Sequence, residues 1–132
     1  MKTLRIIIEK SSDYYDAYAE NCEGVYGAGN TVEEAQKNVL EGLNLFIKYN
    51  RDNLPEILQA EYGIEYHFDV PSFLKHYSTV FTKSALQRMT GINQTQLTHY
   101  VSGFRKPSKK TINKLDTAIH NLSKELSEVH FI

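Results

Sequence analysis

Acidic side chains are missing from a long internal stretch of this chain. Between Val70 and Leu115, 46 consecutive residues contain no Asp or Glu but eight Lys or Arg. The whole chain is nearly neutral, with a formal net charge of −1, so the absence is local. Residues 1–70 hold 6 basic and 13 acidic side chains (net −7), whereas residues 71–132 hold 9 basic and 3 acidic ones (net +6). Such an asymmetry predicts two modules with different partners, the basic one facing a polyanion. Lys and Arg without intervening carboxylates neutralise phosphates and release condensed counterions, the main source of nucleic-acid affinity.

Other absences narrow the class further. Cys22 is the only cysteine, so no internal disulfide can form; a cytoplasmic protein is expected, with Cys22 a small turn residue. No run approaches the roughly 18 apolar residues of a membrane span, so no membrane partner is expected. The opening stretch Met1–Lys10 is apolar for too few residues, and charged too soon, to be a signal peptide. Gly24, Gly27 and Gly29 lack the G-x-G-x-x-G order and the preceding buried strand of a nucleotide site. They mark bends or close backbone approach. His67 has no Cys or second His at metal-ligand spacing. Glu9, Asp13, Asp16, Glu20 and Glu23 fall at predicted strand ends and turns, where nothing converges them on one point. No catalytic residue, metal or cofactor is therefore expected.

The pattern of residues 1–70 is α+β. Leu4, Ile6 and Ile8 share one parity over Thr3–Lys10, a strand buried mainly on one face. Turn residues Ser11–Asp13 lead to a second strand over Asp13–Glu20, and Val25–Gly29 is a third. Thr31-Val-Glu-Glu34 is a capping box that opens a helix. Val32, Ala35, Val39, Leu43, Phe46 and Ile47 give that helix one apolar stripe through about Asn50. Arg51–Ala60 breaks the period. Ile64, Tyr66 and Phe68 alternate with Glu65, His67 and Asp69, a fourth strand with one wet face. The sum is a β-β-β-α-β layer.

Residues 71–132 predict only helices. Pro71–Tyr77 starts one, with Phe73, Leu74 and Tyr77 on one side. From Thr82 to Tyr100, Leu86, Ile92, Leu97 and Tyr100 are spaced as the internal packing of two short helices. Gly91 supplies the turn between them and Asn93 the cap of the second. Gln94, Thr95 and Gln96 are then the first exposed residues of that second helix, and His99 follows on the same face as Gln96. Amide and hydroxyl groups in that position are what a major-groove reader presents to base edges. Gly103 closes the helix, Pro107 stiffens the loop and Ser108 caps the next helix. Arg105, Lys106, Lys109 and Lys110 are the candidate phosphate contacts. Ile112, Leu115, Ile119 and Leu122 form the packing stripe of the last helix. The apolar ending Leu126–Ile132 packs either on its own domain or on a second copy.

Gln94-Thr-Gln-Leu-Thr-His-Tyr100-Val-Ser-Gly103-Phe-Arg-Lys-Pro107-Ser resembles the lambda-repressor-like helix-turn-helix module. Together with the run from Tyr18 to Ala35, which carries an acidic turn, a Gly-Asn-Thr step and a Glu-Glu-Ala helix start, the chain resembles a HicB-family antitoxin from end to end. The resemblance implies a partial ribonuclease-H-like layer over residues 1–70, without nuclease activity, that binds a HicA-like toxin, a small basic protein that cleaves messenger RNA. It also implies a helix-turn-helix domain over residues 71–132 that binds operator double-stranded DNA of its own operon, as a homodimer or higher homo-oligomer, and represses transcription. On the acidic turn, Glu20, Glu23 and Tyr26 are the candidate toxin contacts. Two other readings stay open. One is a one-component transcriptional regulator whose N-terminal layer senses a small ligand; the other is a nuclease built on the Asp13/Asp16 region.

Overall fold

The computed structural model describes all 132 residues as two compact units, Met1–His76 and Tyr77–Ile132.

In the first unit, strands β1 (Lys2–Lys10), β2 (Tyr15–Ala19), β3 (Tyr26–Gly29) and β4 (Tyr62–Phe68) form one mixed sheet in the order β3-β2-β1-β4. β1 pairs antiparallel with β2 and parallel with β4, and β2 pairs antiparallel with β3. Antiparallel strands need only the short turns found here, whereas the parallel partner β4 needs a long crossover. Helix α1 (Val32–Tyr49) supplies most of it. The alternation read in β1 is real: Leu4, Ile6 and Ile8 are completely buried. Each aliphatic side chain so removed from water contributes about 1.5–3 kcal/mol. They meet Tyr15 and Ala17 of β2 and the Val32, Ala35, Val39 and Leu43 stripe of α1. Thr31 caps α1 by accepting the Glu34 N–H at 3.1 Å. Glu33 and Glu34 in the first turn and Lys48 in the last complement the helix dipole.

Two glycines decide how closely α1 lies on the sheet. A Cβ on Gly27 of β3 would run into the backbone of Asn38 and Val39. One on Gly42 of α1 would sit 2.5 Å from the carbonyl oxygen of Tyr26. Backbone therefore meets backbone at this crossing, the close approach that glycine permits.

The structure corrects three expectations in this unit. The second strand is shorter than the expected Asp13–Glu20: β2 begins at Tyr15, Tyr14 before it is exposed, and Tyr15, Ala17 and Ala19 are buried. In β4 the apolar positions are not well covered: Ile64 is 38% exposed and Tyr66 36%. Their cross-strand partners Leu4 and Ile6 lie completely buried on the same side, because α1 packs chiefly over β3 and β2. Finally, the sequence divides the chain at residue 70 and assigns helix α2 (Val70–His76) to the basic half. It belongs to the sheet unit instead. Val70, Ser72 and Leu74 are buried, and Asp69 ties the junction by accepting the Ser72 N–H at 3.2 Å and the Lys10 N–H at 3.3 Å.

The second unit contains α3 (Lys83–Thr90), α4 (Gln94–Ser102) and α5 (Lys109–Leu126). Its buried apolar residues are Leu86, Ile92, Leu97, Tyr100 and Leu115. That is a small core, as expected when surface outweighs volume in so short a segment. The stripe on α5 is less buried than its spacing predicts: Leu115 is covered, but Ile112 is 44% exposed. The ending does not pack on its own unit, since Leu126, Val129, Phe131 and Ile132 are all exposed.

Candidate nucleic-acid interface

Residues 77–132 carry 8 basic and 3 acidic side chains, a net charge of +5, against −6 for residues 1–76 with 7 basic and 13 acidic. The local structure of α3 and α4 follows from caps at each end. Thr82 accepts the Ala85 N–H at 2.9 Å to start α3, and Gly91 ends it with a left-handed φ of 78°. No atom lies within 4 Å of a Cβ built on Gly91, so glycine is there for its conformation and not for space. Asn93 then accepts the Gln96 N–H at 2.8 Å, and α4 runs to Gly103, again left-handed at φ 80°.

Leu97 and Tyr100 anchor α4 to the core, which turns Gln94, Thr95 and Gln96 to the solvent. With the cap made by Asn93, the side chains of these three residues remain available for an external partner. His99 is only partly exposed. Its ring lies 4.8 Å from that of Phe104, and its carbonyl accepts the Arg105 N–H at 3.3 Å, so it holds the loop after α4 in place.

That loop carries the cations. Arg105 and Lys106 are exposed, with the Arg105 guanidinium 5.7 Å from the Phe104 ring. Ser108 opens α5 by accepting the Thr111 N–H at 3.2 Å, and Lys109 and Lys110 occupy its first turn, both exposed. Cations at a helix N-terminus oppose the dipole and are unfavourable for the helix alone. None of α3, α4 and α5 has an acidic residue in its first turn. An anion at the start of α5 would meet the Lys109 and Lys110 charges beside the amides of the first turn.

Two residues gain a role only from the structure. Gln87 in α3 accepts the Gln94 N–H at 3.0 Å, joining the two helices. Its only sequence signal is a polar side chain in the middle of a short helix. Phe104 is 70% exposed between His99 and Arg105. An aromatic residue inside the polar run Ser-Gly-Phe-Arg-Lys is the signal that could have found it.

On the acidic unit, the structure sets Glu20, Glu23 and Tyr26 along the β2–β3 hairpin. Two of the three are already engaged: Glu20 accepts from Arg5 Nε at 2.9 Å, and Tyr26 donates its hydroxyl to Asp16 at 2.7 Å. Glu23 is exposed in the connecting turn. The hydrogen bond to Asp16 holds the Tyr26 phenol above its usual pKa. Burial, then the neighbouring Glu9 carboxylate, does the same for Tyr18. Cys22 is buried, which pushes its thiol pKa up and away from reactivity. Asp16 also accepts from the Ser11 hydroxyl, and no three His, Cys, Asp or Glu side chains gather in a set that could hold a metal ion.

No helix is long and apolar enough to cross a membrane. Comparison of the chain with protein-family models, curated proteins and solved structures returned no match.

Proposed function

We propose that this chain is an antitoxin of the HicB type. Its acidic unit binds and neutralises a small basic HicA-like toxin. Its basic unit docks α3 and α4 on operator DNA as a helix-turn-helix, and the chain acts as a homodimer or higher oligomer that represses its own operon. It is not itself an enzyme; the sheet layer is a partial ribonuclease-H-like fold used for binding. The observation that carries the reading is the start of α4. Gln94, Thr95 and Gln96 are exposed on a turn whose amides are capped by Asn93 and Gln87, so their side chains can meet base edges. The flanking Arg105, Lys106, Lys109 and Lys110 supply phosphate contacts, and the opposite charges of the two units suit DNA and a basic protein respectively.

The test has two arms on the full chain. Binding to duplex DNA from upstream of its own gene should exceed binding to scrambled duplex and should weaken steeply with salt. Pull-down from native lysate at moderate salt should recover a small basic protein in stoichiometric amount, one that halts growth when expressed alone and not when co-expressed. Equal affinity for both duplexes removes the operator assignment. Recovery of DNA and the chain alone removes the antitoxin assignment and favours a regulator that senses a ligand.

A further inference from the structure

The two edges of the sheet are not alike. β3 is four residues long, contains two glycines and lies tightly under α1. β4 is seven residues long and contains no Pro and no Lys. Those are the usual means of blunting an edge strand against pairing with another chain. Nor is β4 well covered on its helix-facing side, where Ile64 is 38% and Tyr66 36% exposed. On the other side Glu65 and His67 are both exposed.

The main-chain direction along β4 can be assigned. Asp69 donates its N–H to the Ile8 carbonyl at 3.1 Å, continuing the parallel ladder in which Ile8 pairs with Phe68. Successive residues of a strand point their amide and carbonyl groups to alternate edges. Gly63, Glu65 and His67 therefore face β1, while Ile64 and Tyr66 direct their backbone groups away from the sheet.

We infer that β4 is a self-pairing edge: two copies of this chain join their sheets antiparallel along β4, about a two-fold axis at Tyr66. In that register the two Tyr66 residues exchange both main-chain hydrogen bonds. Glu65 then stands opposite His67 of the second copy, and the pair repeats on the other side of the axis. The carboxylate can accept from the imidazole across the pair; within one chain they already meet at 3.0 Å. Neighbouring registers lack this match. An axis at Glu65 sets two carboxylates opposite each other, which is destabilising. An axis at Ile64 sets Glu65 against Gly63, which has no side chain to offer. An isologous pair of this kind closes on itself, because each copy has one such edge, and the result is a single eight-stranded sheet. The inference concerns the sheet unit and does not depend on DNA or toxin binding.

Register-specific cross-linking of the full chain tests it. A Glu65→Cys chain and a His67→Cys chain are mixed, oxidised mildly and mapped by mass spectrometry. An Asp13→Cys chain, altered in the exposed β1–β2 turn, is the collision control. The mixed 65–67 disulfide should exceed the control and either homodisulfide by roughly fivefold, because only that pair lies within bridging distance. Cross-linking no greater than the control overturns the inference. A Glu65→Cys chain that bridges to itself as readily as to the His67→Cys chain overturns it as well, since that places the axis elsewhere.

Discussion

Gln87 accepts the backbone N–H of Gln94 at 3.0 Å, so a side chain from the middle of α3 satisfies the first amide of α4. Asn93 satisfies another at 2.8 Å through the Gln96 N–H. The start of a helix leaves four amides without intrahelical partners, and here two of them are occupied by neighbours that also set the path of the chain. The exposed side chains of Gln94, Thr95 and Gln96 thus stand on a turn held from both sides.

Gln87→Ala removes one of these supports without changing any exposed residue of α4. A loss of about 0.5–1.5 kcal/mol is expected, the net value of a typical intramolecular hydrogen bond. Urea denaturation monitored on the second unit measures it. An unchanged midpoint would show that water replaces the glutamine at no cost.

Gln96 and Lys109 should fail differently on DNA. Gln96→Ala should cost roughly 1–3 kcal/mol at one base position and relax specificity there. Lys109→Ala should weaken all duplexes alike and reduce the salt slope by about one. Titrations on operator and random duplex at several salt concentrations separate the two. Equal losses on both duplexes for the Gln96 change would sink its role as a base reader.

Two glycines should fail for different reasons. At Gly27 an added methyl group meets the backbone of α1, which cannot move without shifting the helix. Gly27→Ala should therefore destabilise the sheet unit by about 1–3 kcal/mol or more, the range for forced overpacking. At Gly91 there is open space, and Gly91→Ala should cost only the left-handed backbone, about 1–2 kcal/mol. Thermal melts of the two variants compare them, and a Gly27→Ala protein as stable as the parent would mean that α1 can lift from β3.

Tyr26 should ionise late. Its hydroxyl donates to Asp16 at 2.7 Å, which raises its pKa above the ordinary value of about 10. The unfolded chain therefore loses this proton first as pH rises. The contribution to stability is complete below about pH 10 and disappears as pH climbs through the folded-state value. Asp16→Asn should return the ionisation of Tyr26 toward the ordinary range. Tyrosinate absorbance, differenced against Tyr26→Phe, follows it, and an unshifted titration in the Asp16→Asn protein would remove Asp16 as the cause.

Local signals in this chain are short-range, and those were legible. Thr31, Asn93 and Ser108 each cap the helix that follows, because a cap depends on a side chain and an amide three residues away. Thr82 caps α3 in the same way, though the sequence pattern did not single it out. Gly91 and Gly103 end α3 and α4 because an αL residue needs no distant partner. The succession of elements in the β-β-β-α-β unit followed from alternation and turns, whereas the order of the strands in the sheet did not. The charge division needed no structure at all.

Burial was another matter, because it depends on which element lies over which. Ile64 and Tyr66 have the same alternation as Leu4 and Ile6, yet one pair is exposed and the other sealed, since α1 covers one side of the sheet's width and not the other. The place where the chain divides moved to His76, because the backbone of α2 packs with the strands, whatever the charge of its neighbours. The Gln87 contact spans seven residues and a turn, beyond the reach of any local pattern. Sequence alone determined the helix caps, the strand alternation and the sign of each unit's charge, all properties of near neighbours. Only the tertiary structure decided which apolar faces are hidden, which strands form the edges of the sheet and what holds the start of α4, because each of those depends on segments far apart in the chain.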